Sequence, residues 1–144
     1  MALTAVILTM MGTAQGWACS RDPNVPEPTA EELFANAATV VVGHLIKVEQ
    51  VAAADIDKHD AGVIEGTFSP IEIIKGEAPA DNKVKSQTFF PGNCTLPLLV
   101  GSDYVFFLDG KDNFVSWITG SASLGFPGSP AVERAREKLR SLRK

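Results

Sequence analysis

The residues with the clearest chemical potential in this sequence are two cysteines, Cys19 and Cys94. Residues 1–18 carry no charged side chain, and the apolar run 3–11 is too short to span a membrane but suits the hydrophobic region of a signal sequence. Glycine and alanine occupy the −3 and −1 positions before Cys19, as signal peptidase requires. We therefore expect residues 1–18 to be a signal peptide and the mature protein to begin at Cys19.

Three other interpretations of residues 1–18 remain open. The leader has no Lys or Arg near its start, so the first methionine could be internal to a longer signal. A buried N-terminal helix is a second reading. Lipoprotein signals also place cysteine at the first mature position, but they favour a leucine-like residue where Gly16 stands. In that third reading Cys19 would carry a lipid anchor.

Once the leader is removed, Cys19 and Cys94 are the two thiols that remain. An even number of cysteines in an exported chain predicts one disulfide between them. Closing so long a loop stabilises a fold by about 2–4 kcal/mol in typical measured cases.

The other potentially reactive side chains lack the partners that catalysis or metal binding requires. His44 and His59 have no third ligand at metal-site spacing. The cluster of Asp55, Asp57 and Asp60 lacks the glycine and distal glutamate of a calcium loop. Ser121 and Ser123 lack a nucleophile-elbow context. We predict no enzyme activity, no cofactor and no metal bound by side chains. The net charge of −4 offers no basic face for nucleic acid.

The elements that would position the cysteines are mostly strands. Alternating and β-branched segments predict five of them, at 40–49, 63–75, 83–90, 103–109 and 114–118. Gly43 within the first strand predicts a bulge or bend. A capping-box pattern predicts a short helix over 30–37, and Ser129 with Pro130 begins an amphipathic helix. Five short strands with a helix before and after them fit an OB-like barrel.

Side-chain directions follow from the same patterns. The alternation of the second strand predicts Ile71 and Ile73 inward and Glu72 outward. We expect Trp117 to lie in the core, as we do Phe106 and Phe107. The residues between 119 and 129 are rich in Gly, Ser and Pro and predict a loop.

Several of these signals occur together in one order. The stretches are Ala18-Cys19-Ser20, Glu31-Glu32-Leu33-Phe34, Val40-Val41-Val42-Gly43-His44-Leu45, Ile73-Ile74-Lys75-Gly76, and Cys94 followed by Val100-Gly101-Ser102-Asp103-Tyr104-Val105-Phe106-Phe107. This order, over about residues 19–120, resembles the netrin-like domain of the tissue inhibitor of metalloproteinases family in its bacterial single-domain form. The departures are Arg21 where the animal members have a second cysteine, and Asp22-Pro23 in place of an apolar residue.

The resemblance implies a mainly β protein: a five-stranded OB barrel over 19–128, with residues 129–144 packed on it as a helix. It implies a disulfide from Cys19 to Cys94 and a mature terminus whose α-amine and carbonyl oxygen chelate the zinc of a metalloproteinase. Ser20 would face the specificity pocket of that protease. A catalytic zinc keeps one open coordination position, and a terminal amine with a pKa of about 8 is partly unprotonated at neutral pH.

The function expected from this resemblance is that of a secreted, periplasmic or cell-envelope inhibitor of a zinc metalloproteinase. We expect a monomer with no membrane span and no nucleic-acid partner. The alternative is a non-inhibitory netrin-like interaction module in the cell envelope. A lipid anchor on Cys19 would exclude zinc chelation, because acylation blocks the amine.

Overall fold

One antiparallel sheet and two helices make up the described part of the protein. The computed structural model describes residues 26–51, 62–88 and 94–143. Its elements are α1 (Ala30–Asn36), β1 (Thr39–Gln50), β2 (Val63–Lys75), β3 (Lys83–Gln87), β4 (Asp103–Leu108), β5 (Ala122–Gly125) and α2 (Pro130–Ser141). The strands lie in the order β3-β2-β1-β4-β5 and every ladder is antiparallel. The prediction of a mainly β fold with five strands and two helices is therefore confirmed.

The sheet is not closed into a barrel. Its edges are β3 and β5, and no ladder joins them in the described ranges. A single parallel bridge instead connects β3 to the segment after β4, between Lys85 and Phe114. The Lys85 amide donates to the Asn113 carbonyl at 3.0 Å, and the Val115 amide donates to the Lys85 carbonyl at 2.7 Å.

The fifth strand is not where the sequence pattern placed it. Residues 114–118 form only isolated bridges, whereas β5 lies inside the segment that was expected to be a loop. A tight local turn ends the extended stretch. Thr119 donates its hydroxyl to the Ser116 carbonyl at 2.9 Å, and the Ser116 amide donates back to the Thr119 Oγ1 at 3.2 Å. Such side-chain to backbone bonds compete with a strand ladder.

Both faces of the two central strands, β1 and β4, are covered. One face carries an apolar cluster from strands and loops, made of Val41, Leu45, Phe68, Val84, Leu96, Leu98, Tyr104, Phe106, Leu108 and Val115. The other face packs against the helices through Ala37, Val40, Val42, Ile74, Val105, Phe107 and Leu139. Because β4 and residues 39–45 of β1 are almost entirely buried, their sequences are nearly continuous apolar runs.

β2 does not follow the predicted alternation. Ile74 is the buried isoleucine, whereas Ile71 and Ile73 are each 43% exposed, so the inward assignment of those two was wrong. The pairing of β1 with β2 shifts register on both sides of Val41-Val42, which leaves Ile74 and Ile71 as extra residues in the ladder. Each extra residue reverses which side chains face the core. The second of these shifts falls between Val42 and Gly43, so the bulge predicted at Gly43 is confirmed, with its extra residue on β2.

The helix starts agree with the sequence signals. Thr29 Oγ1 accepts a hydrogen bond from the Glu32 amide at 3.2 Å, and Glu32 accepts one from the Thr29 amide at 2.8 Å, which completes the capping box of α1. Pro130 is the first residue of α2, but the Ser129 hydroxyl makes no cap. It donates instead to the Leu124 carbonyl at 3.2 Å and so ties the start of α2 to β5.

Candidate functional site

The predicted site has two parts, and the structure describes the one that begins at Cys94, between β3 and β4. Thr95 forms an antiparallel bridge with Ser116, and the Trp117 amide donates to the Cys94 carbonyl at 3.4 Å. Cys94 is half-buried and lies against the turn that follows Val115. Cys19 and Ser20 lie outside the described residues, as does the predicted signal peptide. The Cys19–Cys94 disulfide therefore stays a prediction.

The segment that follows Cys94 is packed against the sheet. Leu96 and Leu98 are buried in the sheet-face cluster, and the buried Ser86 hydroxyl donates to the Leu96 carbonyl at 3.0 Å. These contacts attach the segment to β3 and to the core through both side chains and backbone. Cys94 is thus attached to a well-packed support.

Tyr104 of β4 fastens the same segment from its other end. Its hydroxyl donates to the Pro97 carbonyl and accepts from the Leu99 amide, both at 2.8 Å. Burial raises the pKa of Tyr104 above its ordinary value, and the hydrogen bond from the Leu99 amide opposes this in part. The phenol therefore stays protonated at neutral pH and keeps its donor role.

Two large apolar side chains are exposed in the segment whose backbone bonds to Cys94. Trp117 is 49% exposed and Ile118 is 45% exposed. The prediction that Trp117 belongs to the core was wrong, because the Ser116–Thr119 turn ends the strand and releases the side chains that follow. Phe106 and Phe107 are buried, as predicted. Exposed aromatic side chains of this size are typical of protein-binding surfaces.

A pair of polar side chains that the sequence pattern did not reveal joins β1 to β4. His44 and Asp103 are paired in the ladder, and His44 Nδ1 lies 2.8 Å from Asp103 Oδ1. The Asp103 side chain is 3% exposed and that of His44 is 32% exposed. A buried carboxylate in this position orients the imidazole and selects its tautomer. The two residues are far apart in sequence, so only the register of the sheet reveals the pair.

His44 and Asp103 have no third metal-ligating side chain beside them in the described part of the chain. Within residues 26–51, 62–88 and 94–143, no group of three or more His, Cys, Asp or Glu could hold a metal ion. The predicted loop aspartates, Asp55, Asp57 and Asp60, and His59 lie outside those ranges. Ser121 is buried and uses its hydroxyl to accept from the Phe107 amide at 3.0 Å, a structural role.

Comparison with known proteins adds no relative. No protein-family model matches the sequence, and no curated protein matches it. In the part of the chain that the structure describes, neither helix is long and apolar enough to cross a membrane.

Proposed function

We propose that this protein is a netrin-like inhibitor that docks on a zinc metalloproteinase through its mature terminus at Cys19. The observation that carries the proposal is the setting of Cys94. The segment that follows this residue is packed on the sheet, and the Cys94 carbonyl accepts from the amide of Trp117, whose side chain, like that of the next residue Ile118, is exposed. A disulfide to Cys94 would bring the terminus close to this exposed stretch. The described part of the site thus combines a packed support with exposed apolar area, which suits a docking edge.

The strand pairing is compatible with an OB barrel, which is the fold that this proposal includes. β1 pairs with both β2 and β4, β2 pairs with β3, and the segment after β4 approaches β3 in parallel at Lys85. OB folds are five-stranded and partly open. The Lys85–Phe114 bridge is the place where such a barrel would close.

The chemistry of the proposed contact uses the backbone of Cys19. Its neutral α-amine and carbonyl oxygen would occupy the open position of the protease zinc and displace the attacking water. Ser20 would enter the specificity pocket. A bridge to Cys94 would hold the terminus in its bound conformation before association and so lower the entropy lost on binding.

A second function is favoured by a separate exposed apolar surface. Ile46, Leu99 and Val100 are between 52% and 60% exposed. Backbone hydrogen bonds of 2.8 and 2.9 Å between Leu45 and the Gly101-Ser102 turn bring the chain at Ile46 close to the turn that contains Leu99 and Val100. A non-inhibitory interaction module of the cell envelope, with or without a lipid on Cys19, would use this surface.

The deciding experiment starts from the intact mass of the protein expressed with its own leader. A mass equal to unmodified residues 19–144, and two hydrogens lighter before reduction, gives a free amine and a Cys19–Cys94 bridge. A mass increased by diacylglycerol and an acyl chain rules out zinc chelation and supports the anchored module.

Inhibition is then measured on a panel of zinc metalloproteinases. One added alanine before Cys19 moves the amine away from the zinc and should weaken inhibition by at least about 30-fold, as loss of a binding hot spot does. One alanine added after Lys144 is the matched control and should change nothing. Equal inhibition by the two extended proteins would refute the mechanism.

A further inference from the structure

A cavity of about 350 Å³ lies between the end of α1 and the turn that follows β4. Its apolar walls include Leu33 and Ala37 from the helix side, Phe107 from β4, and Phe114 from the segment after the turn. This volume lies at the lower end of the range for small-ligand sites. The cavity has room for one extended side chain or a small molecule.

Two carboxylates stand at this cavity, Asp109 and Asp112. Each is exposed and held by its own turn: Asp109 accepts from the Lys111 amide at 2.9 Å, and Asp112 accepts from the Phe114 amide at 3.1 Å. Neither carboxylate takes part in an ion pair within the described ranges, and no Lys or Arg lines the cavity. Each one retains acceptor positions for a further donor.

We infer that this cavity binds a lysine side chain of a partner polypeptide. The four-carbon stem would pack on Leu33 and Phe114, and the ammonium group would meet Asp109 and Asp112. Lysine combines an apolar stem with a compact charge that offers three donors, and two separate carboxylates suit it better than they suit a planar guanidinium. The ring of Phe114 adds an attractive surface for a cation.

The other classes of ligand fit this cavity less well. An anion would be repelled by the two carboxylates, since no cation lines the cavity. A wholly apolar ligand would gain nothing from the two carboxylates, because it offers them neither a charge nor a donor. Neither Cys94 nor Trp117 lines the cavity, so the inference does not rest on the proposed inhibition.

The test uses nuclear magnetic resonance titration of the mature protein with Nα-acetyl-lysine methylamide. We expect saturable shifts of the backbone amides of Ala37 and Phe114, with a dissociation constant of about 1 mM for a ligand of this size. The norleucine analogue has the same stem without the charge. It should bind about three- to tenfold more weakly.

The double variant Asp109→Asn, Asp112→Asn removes both charges and keeps an oxygen that can accept from each turn amide. It should bind the lysine compound about three- to tenfold more weakly. Asp81→Asn is the matched control, because Asp81 accepts from the Lys83 amide in the same kind of turn and does not line the cavity.

Three results would overturn the inference. The first is equal affinity for the lysine and norleucine compounds, which needs only the unaltered protein. The second is unchanged affinity in the folded double variant. The third is the lack of saturable shifts at the cavity.

Discussion

Replacement of Glu72 by glutamine tests how α2 is attached to the sheet. Glu72 lies on β2, and its two oxygens accept from Arg136 Nε at 2.7 Å and from Arg140 Nε at 2.6 Å, with Arg140 Nη2 adding a bond of 2.8 Å. The hydrogen bonds from Arg140 and Arg136 lower the pKa of Glu72 to about 2, although its partial burial opposes them. The carboxylate is therefore much more stable as an anion in the folded protein than in the unfolded chain.

The magnitude follows from linkage. A fall in pKa from 4.5 to about 2 corresponds to an upper bound of about 3 kcal/mol of stability at neutral pH. The Arg140 side chain is 47% exposed and Glu72 is 20% exposed, so solvent screens part of this interaction. We expect Glu72→Gln to lower the free energy of unfolding by about 1–2 kcal/mol at pH 7.

The depressed pKa of Glu72 also sets the direction in which the stability of the protein changes with pH. The pKa of Glu72 is depressed on folding, so its contribution is fully present above pH 4.5 and is lost as the pH falls from 4.5 toward 2. Urea unfolding of the wild-type and Glu72→Gln proteins at several pH values in this range measures it directly. The difference between the two proteins should shrink on acidification.

A matched control is available on α2. Glu133 is 59% exposed, and within residues 26–51, 62–88 and 94–143 it forms one ion pair, with Arg136 Nη1 at 2.8 Å. Glu133→Gln should therefore change the free energy of unfolding by less than about 0.5 kcal/mol. The reasoning is refuted if Glu72→Gln is no more destabilising than Glu133→Gln at pH 7, or if its effect persists unchanged at pH 2.

Two further substitutions test the packing of the central strands by thermal and urea unfolding. Gly43→Ala would place a methyl carbon 2.5 Å from the Phe68 ring, so we expect a loss of about 1–3 kcal/mol, and a variant as stable as wild type would contradict the tight contact. Tyr104→Phe removes the donor to the Pro97 carbonyl and the acceptor for the Leu99 amide, and should cost about 1–3 kcal/mol. Greater mobility of the segment after Cys94 should accompany that loss, and unaltered hydrogen exchange at Leu99 would argue against its anchoring role.

Much of the local structure could be predicted from neighbouring residues. The capping box of Thr29 and Glu32 located the start of α1, and Pro130 located the start of α2. These signals are readable because each bond joins residues three or four positions apart. The first four strands were predicted in the same way, since β-branched and alternating residues favour extended backbone whatever their partners are.

Two of the errors concern contacts between distant segments. Ile71 and Ile73 face solvent because bulges shift the pairing of β2 with β1. The neighbouring residues of β2 carry no sequence pattern that predicts this shift. The fifth strand formed at Ala122–Gly125 because that segment, and not 114–118, pairs with β4 in a regular ladder. Trp117 is exposed for a local reason, because it lies in the Ser116–Thr119 turn that ends the extended stretch.

The sequence by itself determined where the helices begin, where the first four strands lie and which two cysteines an exported chain would have available. Only the tertiary structure decided which side chains surround Cys94, that His44 meets Asp103, and that Asp109 and Asp112 stand at an apolar cavity. Helix caps and strand propensities arise from interactions within a few residues. Strand register, burial and cavities arise from packing between segments that are distant in sequence.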